Sequence, residues 1–428
     1  MATITVDQAK LVLNSFAAIF QNNLVSKDLV TWKKFNGEMN DRNGMTVVEQ
    51  ITPDYTTTFS TNTVTDLSAG VQDTTFGSEQ YKLTQVIGSS MGWGDFVKIR
   101  DINEARESQA LRKAALRLAT DIDAYIIGYV AKASNNWVGN TNGTNSISAW
   151  SDLATSVTRL KKEGVDEDFR AILAYDDWQA LGNTIVNNNA SLTNLGDGVY
   201  RNGFEGTVAG IPTLFTQQLQ PLTTGSRNQT AALTAGTAES TTTYASVCIS
   251  GAPGQFLTQT LSMGTLGNNN TIKDGEVFTI AGVFAYDNRA KKQLEHLQQF
   301  RVVGDVTASG SGTATVRVFP AIITSGPYRT VGQAAANTAA VNFVGAANTS
   351  TMPRFLANKE AVVVHTADLI MPATGTAQRK ALTQVPLSVR MWQDSVFSTG
   401  EHRIRFDVAL EANVAADGRR RIIRLNGA

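Results

Sequence analysis

The sequence predicts an α+β fold interrupted by an all-β insertion, and three observations carry that reading. From Asp101 to Ser134, Leu111, Ala115, Leu118, Ile122, Ile126, Tyr129 and Ala133 recur at spacings of three and four, the period of one helix face. Helical and strand-like segments mix as far as Pro221 and again from Lys359. Between them lie alternating segments rich in Thr, Ser, Gly and Asn, in which Glu239 is the only charged residue between Arg227 and Lys273.

Taken in order, "VDQAKLVLNSFAAIF" (6–20) reads as a short amphipathic helix with Leu13, Phe16 and Phe20 on one face. The Gly-, Asn- and Thr-rich stretch from about Phe35 to Gly88 has β-propensity but little continuous apolar character. It reads as an extended two-stranded arm that needs a partner surface. The helix at 101–134, with Asp101 and Glu104 as a capping box, would be about 50 Å long at 1.5 Å per residue. Two further helices ("SAWSDLATSVTRLKKEGV", "YDDWQALGNTIVNN") flank the strand "FRAILAY", and "VAGIPTLFTQQLQP" leads into the insertion.

Within the insertion, "KDGEVFTIAGV" opens on a turn at Asp274–Gly275 and alternates through Val277, Thr279 and Ala281 before ending at "AGV". β character continues through "GTATVRVFPAIIT" and fades in the Ala-rich "YRTVGQAAANTAAVNFVG". The chain closes on the alternating "HRIRFDVALEANVA" and on "DGRRRIIRLNG".

The bulk composition excludes several function classes. Lys plus Arg equals Asp plus Glu at 37 each, so the basic balance of a nucleic-acid binder is missing. No apolar run reaches the roughly 18 residues of a membrane span. "MATITVDQAK" lacks the basic and apolar regions of a secretion signal, which points to folding in a cytoplasm. Charged residues make up 17%, against roughly 25% on average. A polar, uncharged outside suits either burial against further copies of the chain or an ordinary β-rich protein with Thr-rich strands.

No catalytic, cofactor-binding or metal-binding constellation emerges. The one cysteine, Cys248, lies in the strand-like "TYASVCIS" and reads as a buried small hydrophobe. The three histidines, His296, His365 and His402, show no ligand spacing; His365 reads as a structural strand-end residue. There is no Gly-Lys dipeptide, so the P-loop is absent. "DEDF" (166–169) offers either a cation site or a solvated turn, and Asp121 and Asp123 diverge on the long helix. Arg419 to Arg421 is either the solvated start of the last strand or a contact for nucleic acid or an acidic partner.

The order of these elements resembles the major capsid proteins of tailed phages with the Hong Kong 97 fold. The resemblance is closest to the branch found in a short-tailed Salmonella phage, whose axial domain carries an inserted six-stranded β-barrel. It rests on "VVEQITP" (Val47 to Pro53) for the extended loop and on "KIRDINEARESQALRKAALRLATDID" for the entrance to the spine helix. "VAGIPTLFTQQLQPLTTG" matches the passage into the insertion, and "KDGEVFTIAGV" (Lys273 to Val283) its central hairpin.

The resemblance implies an N-terminal arm (1–34), an extended β loop (35–88) and a peripheral domain (89–147) carrying the spine helix. It further implies an axial/peripheral domain in two parts (148–220 and 347–428) around the inserted barrel (221–346). Val48, Glu49, Gln50 and Phe59 are then candidate inter-subunit residues of the loop. Leu111, Ala115, Leu118, Ile122, Ile126 and Tyr129 are the candidate spine face.

The implied function is structural: self-assembly as hexamers and pentamers into an icosahedral head around double-stranded DNA, in the host bacterial cytoplasm. The implied partners are scaffolding protein and portal, with DNA bound only weakly and non-specifically, no membrane and no cofactor. In the family a charged loop of the insertion contacts the neighbour across a two-fold axis. Here about Ser250 to Asn270 carries no charge, so that contact would be polar or apolar. A self-assembling surface-layer protein shares the Thr/Asn composition, and an enzyme with a β-barrel insert would need a clustered titratable pocket.

Overall fold

The structure, a computed structural model, describes residues 6–39, 44–51, 77–92, 109–140, 146–165, 168–188, 206–208, 211–234, 257–287, 289–326, 328–373, 375–395, 402–415 and 421–426. The chain divides into two compact units. One comprises 1–47, 81–129 and 359–415, the other 48–80, 130–358 and 416–428.

The first unit begins with helix α1 (Val6–Asn23). Its face of Leu13, Phe16, Ala17 and Phe20 is buried, as the apolar spacing predicts. Strands β1 (Thr31–Met39), β2 (Met45–Ile51), β3 (Gly77–Leu83) and β4 (Val86–Gly92) follow, then helix α2 (Gln109–Ala133). The chain returns to this unit late, with β20 (Val362–Leu369), β21 (Thr376–Ala381), β22 (Ser388–Ser395) and β23 (His402–Val414). These strands form a six-stranded sheet in the order β1-β20-β23-β22-β21, with β4 also paired to β23. β1 runs parallel to β20.

The helix expected at 6–20 packs on its own chain: Phe16 stacks on Phe406 of β23 with ring centroids 3.8 Å apart, because its apolar face finds a sheet there. Phe35 to Met39, placed in the extended loop by composition, complete β1, and Val86 onward joins β23 as β4. Among the described residues, the rest of the loop holds the two-stranded sheet β2–β3, the pairing expected of it.

α2 carries the expected stripe, with Leu111, Ala115, Leu118, Ile122 and Ile126 all buried and Tyr129 half-buried. Its 25 residues span about 37 Å. The Asp101–Glu104 start lies outside the described residues.

The second unit holds β5 (Asn136–Val138), α3 (Trp150–Lys162), β6 (Phe169–Leu173), α4 (Tyr175–Asn188), β7 (Gly206–Val208) and β8 (Ile211–Phe215). After the insertion come β19 (Arg354–Asn358) and β24 (Ile422–Leu425), which complete a six-stranded sheet ordered β5-β24-β19-β6-β8-β7. Leu153 and Leu160 of α3 and Leu181 of α4 share its core with Ala171, Leu173, Leu356, Ile423 and Leu425.

Between these parts lie β9 (Leu222–Thr223), β10 (Thr230–Leu233), β11 (Gln259–Gly264), β12 (Thr271–Ile272), β13 (Val277–Asp287) and β14 (Lys292–Val302). β15 (Val306–Thr307), β16 (Ala314–Phe319), β17 (Ala340–Phe343) and β18 (Ser350–Thr351) follow. Six of them close into a barrel, β10-β11-β16-β14-β13-β17, while β9 pairs with β18 at its base. Closure leaves these strands no free edge.

The barrel corrects two sequence readings. β13 does not end at Val283 but runs to Asp287 in a hairpin with β14, with register shifts between Thr279 and Tyr286. Phe278 and Ile280 face the barrel's interior, the opposite parity to Val277, Thr279 and Ala281, and beyond the start of the register shift Val283 joins them on the other parity, because a shift of one residue exchanges the faces of a strand. The Ala-rich segment, where β character was expected to fade, supplies β17. Val341 and Phe343 of that strand fill the interior and close the barrel onto β10 and β13.

Candidate assembly elements

The residues of interest are those that hold the subunit's parts in place and those left to meet other chains. Among the described residues no group of three His, Cys, Asp or Glu is placed to hold a metal ion. His365 sits in mid-strand on β20, not at a strand end. It is fully buried, 2.8 Å from Asn413 Nδ2 and beside the rings of Phe35 and Tyr81. Cys248, Asp166 and Glu167, Arg419 and Arg420 lie outside the described residues. Asp168 pairs with Arg170 at 2.6 Å.

The barrel's base is locked by one buried ion pair. Arg227 Nε donates to Glu276 Oε2 at 2.8 Å, and both side chains are almost wholly excluded from solvent. Arg227 also donates to Gln229 Oε1 and to Gly345 O, so one side chain ties the strand entering the barrel to the segment leaving it. Glu276 Oε1 accepts the backbone N–H groups of Gly225 and Lys273, each at 2.7 Å. Burial pushes the guanidinium below its ordinary range, and Glu276 opposes that shift. Position 225 must be glycine on grounds of space, since a Cβ there would meet Thr271 O at 2.0 Å.

A second junction fastens the barrel to the C-terminal end of α2. Gln299 of β14 accepts from Trp137 N and donates to Trp137 O, and its own carbonyl accepts from Asn135 Nδ2. Arg301 of β14 and Arg424 of β24 donate to Lys132 O at 2.8 and 3.5 Å, and Arg424 also to Ser134 O at 2.5 Å. Two guanidiniums thus meet the carbonyl end of the helix, where the macrodipole favours cations. Burial, with Arg301 nearby, pushes the Arg424 guanidinium down to about 9. Gly275, at φ +88, lets the barrel's turn pass within contact of the Lys132 backbone.

In the first unit, Asp123 accepts from Val25 N at 3.0 Å and Ser26 N at 2.9 Å. Burial raises its carboxyl above the usual carboxylate range, against the hydrogen bonds from Ser26 and Val25. Glu411 of β23 accepts from Tyr125 Oη at 2.6 Å and from Thr84 N and Oγ1 at 3.2 Å. It ties the turn between β3 and β4 to α2. Burial and that hydrogen bond raise the Tyr125 phenol well above its ordinary value.

None of Arg227, Glu276, Gln299, Arg424 or Glu411 was singled out by motif or spacing, and Asp123 was noted only as diverging from Asp121 on the long helix. One available signal was a charge set among apolar strand residues, as in "GEVF" and "RIIRL", since a strand buried on both faces tolerates an ion only when it is partnered.

The candidate inter-subunit residues are differently placed. Val48 is 56% exposed, Gln50 is exposed and Glu49 half-buried; Phe59 lies outside the described residues. An exposed valine on a two-stranded ribbon leaves apolar surface that the subunit does not cover.

Residues 1–417 match the family described as "P22 coat protein - gene protein 5". The chain belongs to the P22 coat protein family. It is a structural major capsid protein of a phage head, and its mixed α+β fold with a closed six-stranded barrel is the one the family resemblance implied. Coat proteins of this family associate with copies of themselves into shells, and their place is the virion capsid. No curated protein matches the chain.

Solved structures similar to it include the capsid of Ralstonia phage GP4, at 6% identity over 92% of this chain and 86% of that chain with TM-score 0.42. Others are the capsid of a native GTA particle, at 7% identity over 95% and 91% with TM-score 0.41, and the capsid of the cyanophage P-SCSP1u, at 11% identity over 95% and 88% with TM-score 0.40.

Proposed function

We propose that this coat protein assembles as hexamers and pentamers into a closed icosahedral shell around double-stranded DNA, in the cytoplasm of its bacterial host, with scaffolding protein and portal as partners. The observation that carries the proposal is the family match over residues 1–417. In this reading the axial and peripheral parts are 89–220 and 347–428, the inserted barrel is 221–346, and the loop bearing Val48, Glu49, Gln50 and Phe59 reaches a neighbouring subunit. The α2 stripe of Leu111, Ala115, Leu118, Ile122, Ile126 and Tyr129 acts as the spine.

Low charge supports this reading physically. A shell subunit meets its neighbours in several slightly different settings, and polar or apolar contacts shift between them without breaking deep ion pairs. Equal numbers of cationic and anionic residues leave packaged DNA weakly held, since phosphate binding scales with neutralising cations. The described part of the uncharged 250–270 stretch satisfies itself: Asn228 Nδ2 donates to Thr265 O and Asn270 Nδ2 to Leu266 O. A two-fold contact made there would therefore vary little with salt. Negative-stain microscopy of the purified chain, with and without its scaffolding protein, tests the proposal. Uniform closed shells are expected; a chain that stays monomeric under both conditions would overturn it.

A further inference from the structure

The barrel carries an apolar cluster outside its own interior. Leu257, Phe319, Ala321, Ile323 and Tyr328 are buried together, and Ile51 of β2 and Val303 pack against them. The Tyr328 hydroxyl donates to Ile51 O at 3.0 Å, across 277 positions of sequence. Ile51 is the last described residue of β2 before the 52–76 segment. From Val48 onward β2 belongs to the same compact unit as the barrel.

The segment that presents Tyr328 is itself fixed. Thr330 donates its hydroxyl to Ala321 O, and its backbone N–H to Ile323 O at 3.0 Å, while Ile323 N donates back to Thr330 Oγ1 at 3.0 Å. Ala321 N donates to Leu257 O at 2.7 Å, closing the other side. The cluster is therefore organised by the barrel side, and the loop strand is the guest.

We infer that the outer face of the barrel is a cradle for the extended loop of its own chain, with Tyr328 as a positioning residue that clamps β2 at Ile51. A two-stranded ribbon is marginal in water, and the clamp gives its far end a rigid support. The barrel would thereby set the direction in which the loop leaves the subunit. That consequence, though not the clamp, rests on the proposed reading that the loop reaches a neighbour.

Amide hydrogen exchange on the full-length chain, kept dilute and monomeric, tests the clamp. Tyr328→Phe removes the hydroxyl and keeps the ring. It should speed exchange across 45–51 about fivefold, the value of one neutral hydrogen bond, while β13 and β14 stay unchanged. Ile51→Ser should speed it about tenfold or more by withdrawing the apolar contact.

Unchanged exchange at 45–51 in both variants would overturn the inference. So would parallel loosening of β13 and β14 in Tyr328→Phe, which would make the tyrosine part of the barrel core. Protection of 45–51 that arises only in assembled shells would overturn it too, because the guest would then be a neighbour's loop. Only the last of these outcomes involves shells; the first two are read on the monomer. Absence of shells with the clamp intact would count against the assembly proposal alone.

Discussion

Neutralising either half of the Arg227–Glu276 pair should loosen the barrel, and the two halves are not equivalent. In Arg227→Met the Glu276 carboxylate keeps two backbone donors at 2.7 Å, so the loss is expected at about 3 kcal/mol, the lower end for breaking a buried pair. In Glu276→Gln the guanidinium retains only Gln229 Oε1 and Gly345 O and faces an amide with no countercharge, so about 4–5 kcal/mol is expected. The double variant Arg227→Met/Glu276→Gln removes the ion altogether. It should be more stable than the sum of the singles by more than about 2 kcal/mol.

Native-state amide exchange in β13 and β14 reads this directly. The singles should accelerate it roughly 100-fold or more, at about 1.4 kcal/mol per decade. Singles within about 1 kcal/mol of the parent, or a double variant that merely adds, would refute the view that this pair locks the barrel's base.

Three further outcomes are expected. Ile122→Ala on the buried α2 face should destabilise by about 2–5 kcal/mol in urea unfolding, whereas exposed Arg112→Ala should stay within about 0.5 kcal/mol; Leu118→Pro should abolish shells seen by microscopy. The carboxyl of Asp123 is raised by burial, so the folded chain binds its proton more tightly than the unfolded chain. The stability it contributes is therefore largest at low pH and falls as pH rises through the raised value. Asp123→Asn should flatten that trend in thermal unfolding across pH while speeding exchange of the Val25 and Ser26 amides.

Asp305 has the opposite sign. Hydrogen bonds from Lys273 and from the Asp274 N–H hold its carboxyl below the usual range. Its contribution is present above the unfolded value of roughly 3.9 and is lost as pH falls through the folded one. Asp305→Asn should make the barrel's stability less steep with pH below about 4, followed by exchange in β12 and β15.

Periodicity made several elements legible. The α1 face and the α2 stripe from Leu111 to Ile126 follow from residues within one window of sequence, where the spacing of apolar side chains fixes which face is buried. The hairpin after Asp274–Gly275 was legible in kind but not in parity. Phe278 and Ile280 face the interior, and within the register shift that follows Thr279 the inward position changes parity to Val283; a shift of that sort leaves no mark in the pattern of alternation. β17 was missed because its four residues are too few to show a period. Its strand character comes from the two neighbours it pairs with.

The sequence by itself therefore determined the classes of element and the charge-poor insertion, because these are properties of local composition and spacing. Only the tertiary structure decided which ions are buried. Arg227 meets Glu276 from 49 positions away, and Arg424 meets Ser134 from 290. A charge is tolerated in a core only if a partner is delivered to it, and delivery depends on topology. The same holds for α1: its apolar face was visible, but whether a neighbouring subunit or its own sheet would cover that face depended on where β23 placed Phe406.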